Sequence, residues 1–242
     1  LKRLVSNRNI GVIIMEVSRN IPPEDMFLQK VKNIAKKNNI VLIFDECSSG
    51  FRETFGGINI KYNINPDIII FGKALGNGYA VTAVIGSRDV MEAAQSTFIS
   101  STFWTERIRS VAALATLNVM EREKSWEKIT KTGNKIGQIW EKLANENNLS
   151  INVFGLPSLI KFSFNSSNSL AYKTLITQEM MTDGYLAGNS VYVCTEHSNE
   201  VVRGYAKKLN KVFKIISECE DGRDINNLLK TPVCHNEFKR FN

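Results

Sequence analysis

The stretch Ile40-Val-Leu-Ile-Phe-Asp-Glu46, followed closely by Asp67-Ile-Ile-Ile-Phe-Gly-Lys73, decides how the rest of the chain is read. Each is a short apolar run rich in β-branched residues that ends abruptly in ionisable side chains, the pattern of a buried strand delivering polar groups at its end. The pair predicts a carboxylate, Asp45, and an amine, Lys73, at comparable strand ends.

Working outward, Gly11-Val-Ile-Ile-Met-Glu-Val17 predicts another core strand. The prolines and acidic residues of Arg19–Asp25 suit a first helical turn, and Phe27, Val31, Ile34 and Ala35 then recur at helical spacing through Asn38-Asn39. Residues 11–45 therefore predict a βαβ unit with parallel strands. Ser48–Gly57 is a glycine-punctuated loop beyond a strand end, where α/β proteins keep their sites. Pro66 opens the strand that ends at Gly72-Lys73, and a strand from Ala80 to Ile85 and a helix from Ser87 to Gln95 are expected next. The polar, aromatic Ser100–Trp104 segment precedes a long helix containing Ser110–Thr116. A second long helix, Ser125 to Asn147, carries Ile129, Ile136, Ile139, Trp140 and Leu143 on one stripe. Beyond it, strands at Leu159–Phe164 and Ser190–Cys194 and helices at Leu170–Asp183 and Asn199–Ser217 form an α+β pattern. The expected fold class is α/β: a large domain with a mixed, mainly parallel sheet (1–122), a linking helix (123–148), a small α+β domain (149–220) and a tail (221–242).

The chain has 242 residues, is 43% hydrophobic and 23% charged, and carries a formal charge of +7, an ordinary globular composition. The lysines are scattered along helical stretches such as Lys30–Lys37 and Lys124–Lys142, which reads as a solvated surface and not as a nucleic-acid footprint. No apolar run approaches the ~18 residues that a membrane span needs, and the four cysteines form no C-x-x-C pair. A cytoplasmic protein with no membrane partner is the expectation. Because a core strand begins so soon after Leu1, further sequence upstream is expected, making this chain a fragment.

A lysine just after a buried strand loses hydration unless it has a use. As a nucleophilic amine it forms a Schiff base with an aldehyde; alternatively Lys73 simply reaches out of a loop into water. Asp45 suits the nitrogen of a pyridine ring, which a carboxylate keeps protonated, while Asp45 and Glu46 together also suit metal ligation. Spacing alone leaves these readings open. Cys194 with His197, and Cys219, Cys234 and His235, lack the regular spacing of a zinc site.

Phe44-Asp-Glu-Cys-Ser-Ser-Gly-Phe-Arg52, Pro66-Asp67, Phe71-Gly-Lys-Ala-Leu-Gly-Asn-Gly78 and Ser101-Thr102, taken in that order, resemble the fold-type I, class III pyridoxal-phosphate aminotransferases, within them the branch similar to glutamate-1-semialdehyde 2,1-aminomutase. The resemblance covers most of 10–120 and implies pyridoxal 5′-phosphate as cofactor and a small-molecule amino donor with a carbonyl acceptor. It also implies a homodimer whose sites are completed across the interface. Lys73 would form the Schiff base and move the substrate proton, Asp45 would pair with the pyridinium nitrogen, and Thr102 would donate to the cofactor phosphate of the neighbouring subunit. Cys47 stands where the family usually has a valine against the ring. Glu16 matches the Glu of a family Glu-Pro pair, with Val17 in place of the proline, and Arg52 sits where a guanidinium meets a substrate carboxylate or makes a loop ion pair. The family's glycine-containing phosphate loop and ring-stacking aromatic belong upstream of the Asp45 strand, and Gly76-Asn-Gly78, after the lysine, cannot stand in for that loop. The expectation is an aminotransferase; the alternatives are the aminomutase itself, from whose usual Gly-Asn-Pro loop Ser101–Trp104 departs, and a catalytically incomplete fragment.

Overall fold

The computed structural model describes residues 1–7 and 9–235. The chain divides into two compact units, Leu1–Lys128 and Ile129–Asn242.

In the first unit a short helix α1 (Lys2–Asn7) precedes β1 (Val12–Glu16), α2 (Phe27–Lys37) and β2 (Val41–Asp45). β1 and β2 pair in parallel, with Val12 opposite Val41 and Glu16 opposite Asp45. β3 (Ile68–Phe71) adds to β2 in parallel, and β4 (Ala83–Gly86) closes the far edge antiparallel to β3. The result is the mixed, mainly parallel sheet that the apolar runs predict. Side chains alternate across a strand, so Leu42 and Phe44 face the buried side, where α2 contributes Leu28, Val31 and Ala35 to the core. After α3 (Arg88–Met91), helix α4 (Arg107–Glu123) packs Ala113, Leu117 and Met120 onto a cluster of Phe51, Phe71 and Leu75. The opposite sheet face is apolar yet open within this unit: Val12 is 50% exposed and Ile14 60%.

Three boundaries differ from expectation for local reasons. The helix at 22–39 starts only at Phe27, because Asp25 and Met26 adopt left-handed backbone and leave the prolines outside it. β4 starts at Ala83 and not at Ala80, since Gly76–Val81 is spent in turns (Tyr79 N to Gly76 O, 3.0 Å; Val81 N to Tyr79 O, 2.9 Å). The Ser87–Gln95 helix gives way after Met91 to a 3₁₀ turn at Glu92–Ser96, where the Ser96 and Thr97 hydroxyls bond back to the Ala93 carbonyl and compete with the helical ladder.

Helix α5 (Ser125–Glu146) leads into the second unit's hairpin of β5 (Ile151–Phe154) and β6 (Lys161–Phe164), followed by α6 (Ser169–Thr182) and α7 (Asn199–Glu220). Its core centres on Trp140, Phe162, Phe213 and Tyr172, all fully buried, and the Trp140 indole N–H donates to the Tyr205 hydroxyl at 2.8 Å. The expected strand at Ser190–Cys194 keeps one bridge, Ser190 to Lys161, and single hydrogen bonds from Val191 N to the Ile160 carbonyl and from Val193 N to the Ser158 carbonyl, both 2.9 Å, because the facing Pro157–Leu159 forms a 3₁₀ turn and not a strand. Of the expected 221–242 tail, 236–242 lie outside the described residues; before them the tail is tied to α6, Lys230 N donating to Gln178 Oε1 at 2.7 Å and Cys234 N to Thr174 Oγ1 at 3.0 Å. Among the described residues no helix is long and apolar enough to cross a membrane.

One close approach in this unit supports a prediction. A Cβ built on Gly133 would lie 1.8 Å from the Pro157 carbonyl oxygen, a contact that only backbone movement relieves. Gly133→Ala is therefore expected to destabilise the unit by about 3 kcal/mol, read as a lowered midpoint in thermal or urea unfolding, despite alanine's better helix propensity.

Candidate active site

Glu16, Asp45 and Ile70 occupy one register line across the carboxyl ends of the parallel strands. The chain then passes from β2 into the turn at Glu46–Gly50 and from β3 into Gly72-Lys73. Glu46 N donates to the Ile70 carbonyl at 2.9 Å, which fastens the two exits together. Gly50 is required there: a Cβ on it would come within 2.7 Å of both the Glu46 carbonyl oxygen and the Phe71 ring.

The two adjacent carboxylates diverge. Asp45 accepts from the Cys47 N–H through Oδ1 at 2.9 Å, which fixes its carboxylate at the strand end. Glu46 turns inward and is fully buried; its oxygens accept from the Ser49 hydroxyl at 2.5 Å and from the Ile58 and Asn59 N–H groups at 3.0 and 2.9 Å. Burial nevertheless holds its carboxyl above the ordinary value of 4.5. Glu46 thus closes the loop from inside, its oxygens committed to Ser49, Ile58 and Asn59, which disfavours the alternative of shared metal ligation with Asp45. Among the described residues no group of three or more His, Cys, Asp and Glu side chains is placed to hold a metal.

Cys47 stands between the candidate groups. It feels the charges of Asp45, Lys73 and Glu16, and a Cβ on Gly72 would sit 3.3 Å from its sulfur. Burial first, and Asp45 second, push its thiol up. Since the thiolate is the reactive form, Cys47 is expected to alkylate with iodoacetamide roughly tenfold more slowly than exposed Cys194 at neutral pH, read by peptide mass spectrometry. This suits packing and not nucleophilic chemistry.

Lys73 opens a 3₁₀ turn in left-handed backbone, φ 43°, a conformation that costs a non-glycine residue roughly 1–2 kcal/mol. Gly76 and Asn77 N–H groups, both 3.1 Å from its carbonyl oxygen, hold it there. Its amine donates to the Ser48 hydroxyl at 2.6 Å and opens on a cleft of about 780 Å³ lined also by Tyr79, Thr82, Ser101, Trp104 and Arg109. Arg109 is paired with Glu106 at 2.7 Å and lies over the Phe103 ring at 5.2 Å. Ser101 and Phe103 line this cleft, whereas Thr102 between them does not. Glu16 is paired with Arg19 at 3.5 Å, and Arg52 Nε donates to the Ser48 carbonyl at 3.4 Å. The structure thus gathers Glu16, Asp45, Cys47 and Lys73 at one end of the sheet, with Arg52 turned toward the loop backbone. Sequence reasoning passed over Ser48, Glu106 and Arg109; the serine's only signal is its place three residues after Asp45 in the turn that closes on the β3 exit.

The model of the class III aminotransferases matches residues 5–203. The chain belongs to the class III aminotransferase family. It is 32% identical over 207 residues to the 3-aminobutyryl-CoA aminotransferase of Cloacimonas acidaminovorans (strain Evry), covering 80% of this chain and 49% of that protein. It is 27% identical over 223 residues to the glutamate-1-semialdehyde 2,1-aminomutase of Methanocaldococcus jannaschii, covering 85% of this chain and 50% of that protein. In fold it is similar to the FumI protein of Sphingopyxis sp. MTA144 in its PLP internal aldimine form, with a TM-score of 0.83 at 17% identity over 93% of this chain and 56% of that one. The chain spans about half the length of the curated relatives it matches. Pyridoxal phosphate is the cofactor that family membership implies, and the residues present fit two of its poles: an amine for the aldehyde and a fixed carboxylate for the ring nitrogen, with the small Cys47 side chain between them.

Proposed function

We propose that the protein is a pyridoxal-phosphate-dependent aminotransferase that moves an amino group from a small amino donor to a carbonyl acceptor. The observation that carries this reading is the placement of Asp45 at the carboxyl end of β2 and of Lys73 just after the adjacent parallel β3, with the Lys73 amine reaching back to Ser48 in the turn that follows Asp45. The cofactor, when bound, supplies an electrophilic aldehyde and an electron sink. The rest falls to the protein. Asp45 keeps a proton on the ring nitrogen, through a carboxylate whose rotamer the Cys47 N–H holds. The Lys73 amine would hold the cofactor through its aldehyde, and its Nζ, when free, would serve as the base for the proton of the substrate α-carbon. Glu16 and Arg52 border the site as candidate contacts for the substrate's polar groups.

The reading includes a homodimer in which Thr102 serves the phosphate of the neighbouring site. Two features support it: Thr102 does not line its own chain's cleft, and α4 has a second apolar stripe pointing outward, with Ile108 59%, Val111 63% and Leu114 62% exposed. A cytoplasmic location is supported by four cysteines that are all free. Intramolecular transfer, as in an aminomutase, is a second reading supported by the likeness to the M. jannaschii protein. The test is amino transfer by the full-length gene product with added cofactor, offered amino acids, diamines, semialdehydes and amino sugars. Cofactor-dependent transfer to an external acceptor is expected, isomerisation of one substrate without an acceptor would select the aminomutase, and inactivity throughout would overturn both.

A further inference from the structure

We infer that Ser48 is a positioning residue for Lys73, a berth that holds the amine in line whenever it is not bonded to the cofactor. Among the described residues the Lys73 amine has one hydrogen bond, to the Ser48 hydroxyl at 2.6 Å, and it is the donor. A serine hydroxyl both accepts and donates, so it holds the nitrogen in either protonation state and brings no charge that would favour the protonated one. A lysine head on a four-carbon stem otherwise samples many rotamers, and a long, flexible side chain loses rate in proportion to the time it spends out of line.

Both ends of this contact are held. Lys73 is fixed at its backbone by the left-handed conformation and the two N–H groups on its carbonyl. Ser48 is fixed from behind by Arg52, whose Nε grips its carbonyl oxygen, and from the strand side by the Asp45–Cys47 bond one residue earlier. A path of hydrogen bonds thus runs from Arg52 through the Ser48 backbone and hydroxyl to the reactive nitrogen. On this account Arg52 acts through Ser48 even where no substrate carboxylate meets it.

The inference rests on the reading of Lys73 as the amine that takes the cofactor aldehyde, and the test separates the two. Full-length protein is mixed with pyridoxal phosphate, reduced with borohydride after fixed intervals, and digested, and the pyridoxylated Lys73 peptide is quantified. Ser48→Ala is expected to slow labelling of Lys73 about three- to tenfold, the weight of one oriented hydrogen bond. Ser48→Thr, which restores the hydroxyl, is expected to stay within about twofold of the natural protein, and both variants should keep its thermal midpoint, since the hydroxyl supports no core contact. Labelling in Ser48→Ala equal to that of the natural protein would overturn the role of Ser48 alone. Absence of labelling at Lys73 in the natural protein would overturn it together with the aminotransferase reading.

Discussion

Lys73→Ala is expected to abolish the proposed amino transfer, by at least about 10³-fold in kcat/KM, while the protein keeps its fold. The size of the effect follows from the two tasks proposed for one nitrogen: binding the cofactor's aldehyde and moving the substrate proton. Neither task has a deputy in the cleft, where the other lining cation, Arg109, is committed to Glu106 and the Phe103 ring and a guanidinium remains protonated at any working pH. Lys73→Arg should be as inactive as the alanine variant, because charge without a free amine serves neither task. Fold retention follows from the exposed position of the side chain, and the left-handed backbone at 73 costs alanine much what it costs lysine. Steady-state kinetics with a circular dichroism control decides it: a variant within tenfold of the natural protein would remove Lys73 from the chemistry.

Glu46→Gln destabilises the first unit by about 2–3 kcal/mol, and Glu46→Ala by about 4. Glu46 is fully buried, and its acceptor oxygens close a loop that spans Ser49 to Asn59. An amide sets an N–H₂ against one of the two backbone N–H groups, and alanine abandons both. The pH dependence has a definite sign. Burial raises the folded pKa above the ordinary 4.5, so between the unfolded and folded values the native state holds the extra proton. The contribution of Glu46 is therefore fully present below about pH 4.5 and declines as pH rises through the folded pKa. Glutamine has no such proton, so the gap between natural protein and Glu46→Gln should narrow as pH rises through that window. Urea unfolding across pH 4 to 8 reads it, and a gap that widens with pH would contradict burial as the governing effect.

The contrast between Asp45 and Glu46 shows how much was legible. The apolar runs and their abrupt ends located β2 and β3, the parallel pairing and the strand-end placement of Asp45 and Lys73, because strand burial and the polar groups that end a strand are both written in local composition. Which of two neighbouring carboxylates faces inward depends on N–H groups at Ile58 and Asn59, brought there by a loop, and no local pattern encodes that. The same holds in the second unit. β5, Ile151–Phe154, is too short to stand out, and the segment at Ser190–Cys194, though β-branched and aromatic, faces the 3₁₀ turn at Pro157–Leu159 and makes separate backbone hydrogen bonds there in place of a regular strand. Ser48 was passed over because its importance lies in a hydrogen bond to a residue 25 positions away. The open apolar face of β1 and the outward stripe of α4 were likewise invisible, since periodicity marks a residue as apolar without saying what covers it.

The central claim is that Lys73 is the amine that holds pyridoxal phosphate in this protein. Its most direct test is the visible spectrum of full-length protein with added cofactor, followed by borohydride reduction and peptide mapping. The account predicts a visible absorption band that reduction abolishes, with a single pyridoxyl group recovered on the Lys73 peptide. A band that survives in Lys73→Ala, or label recovered on another lysine, would contradict it.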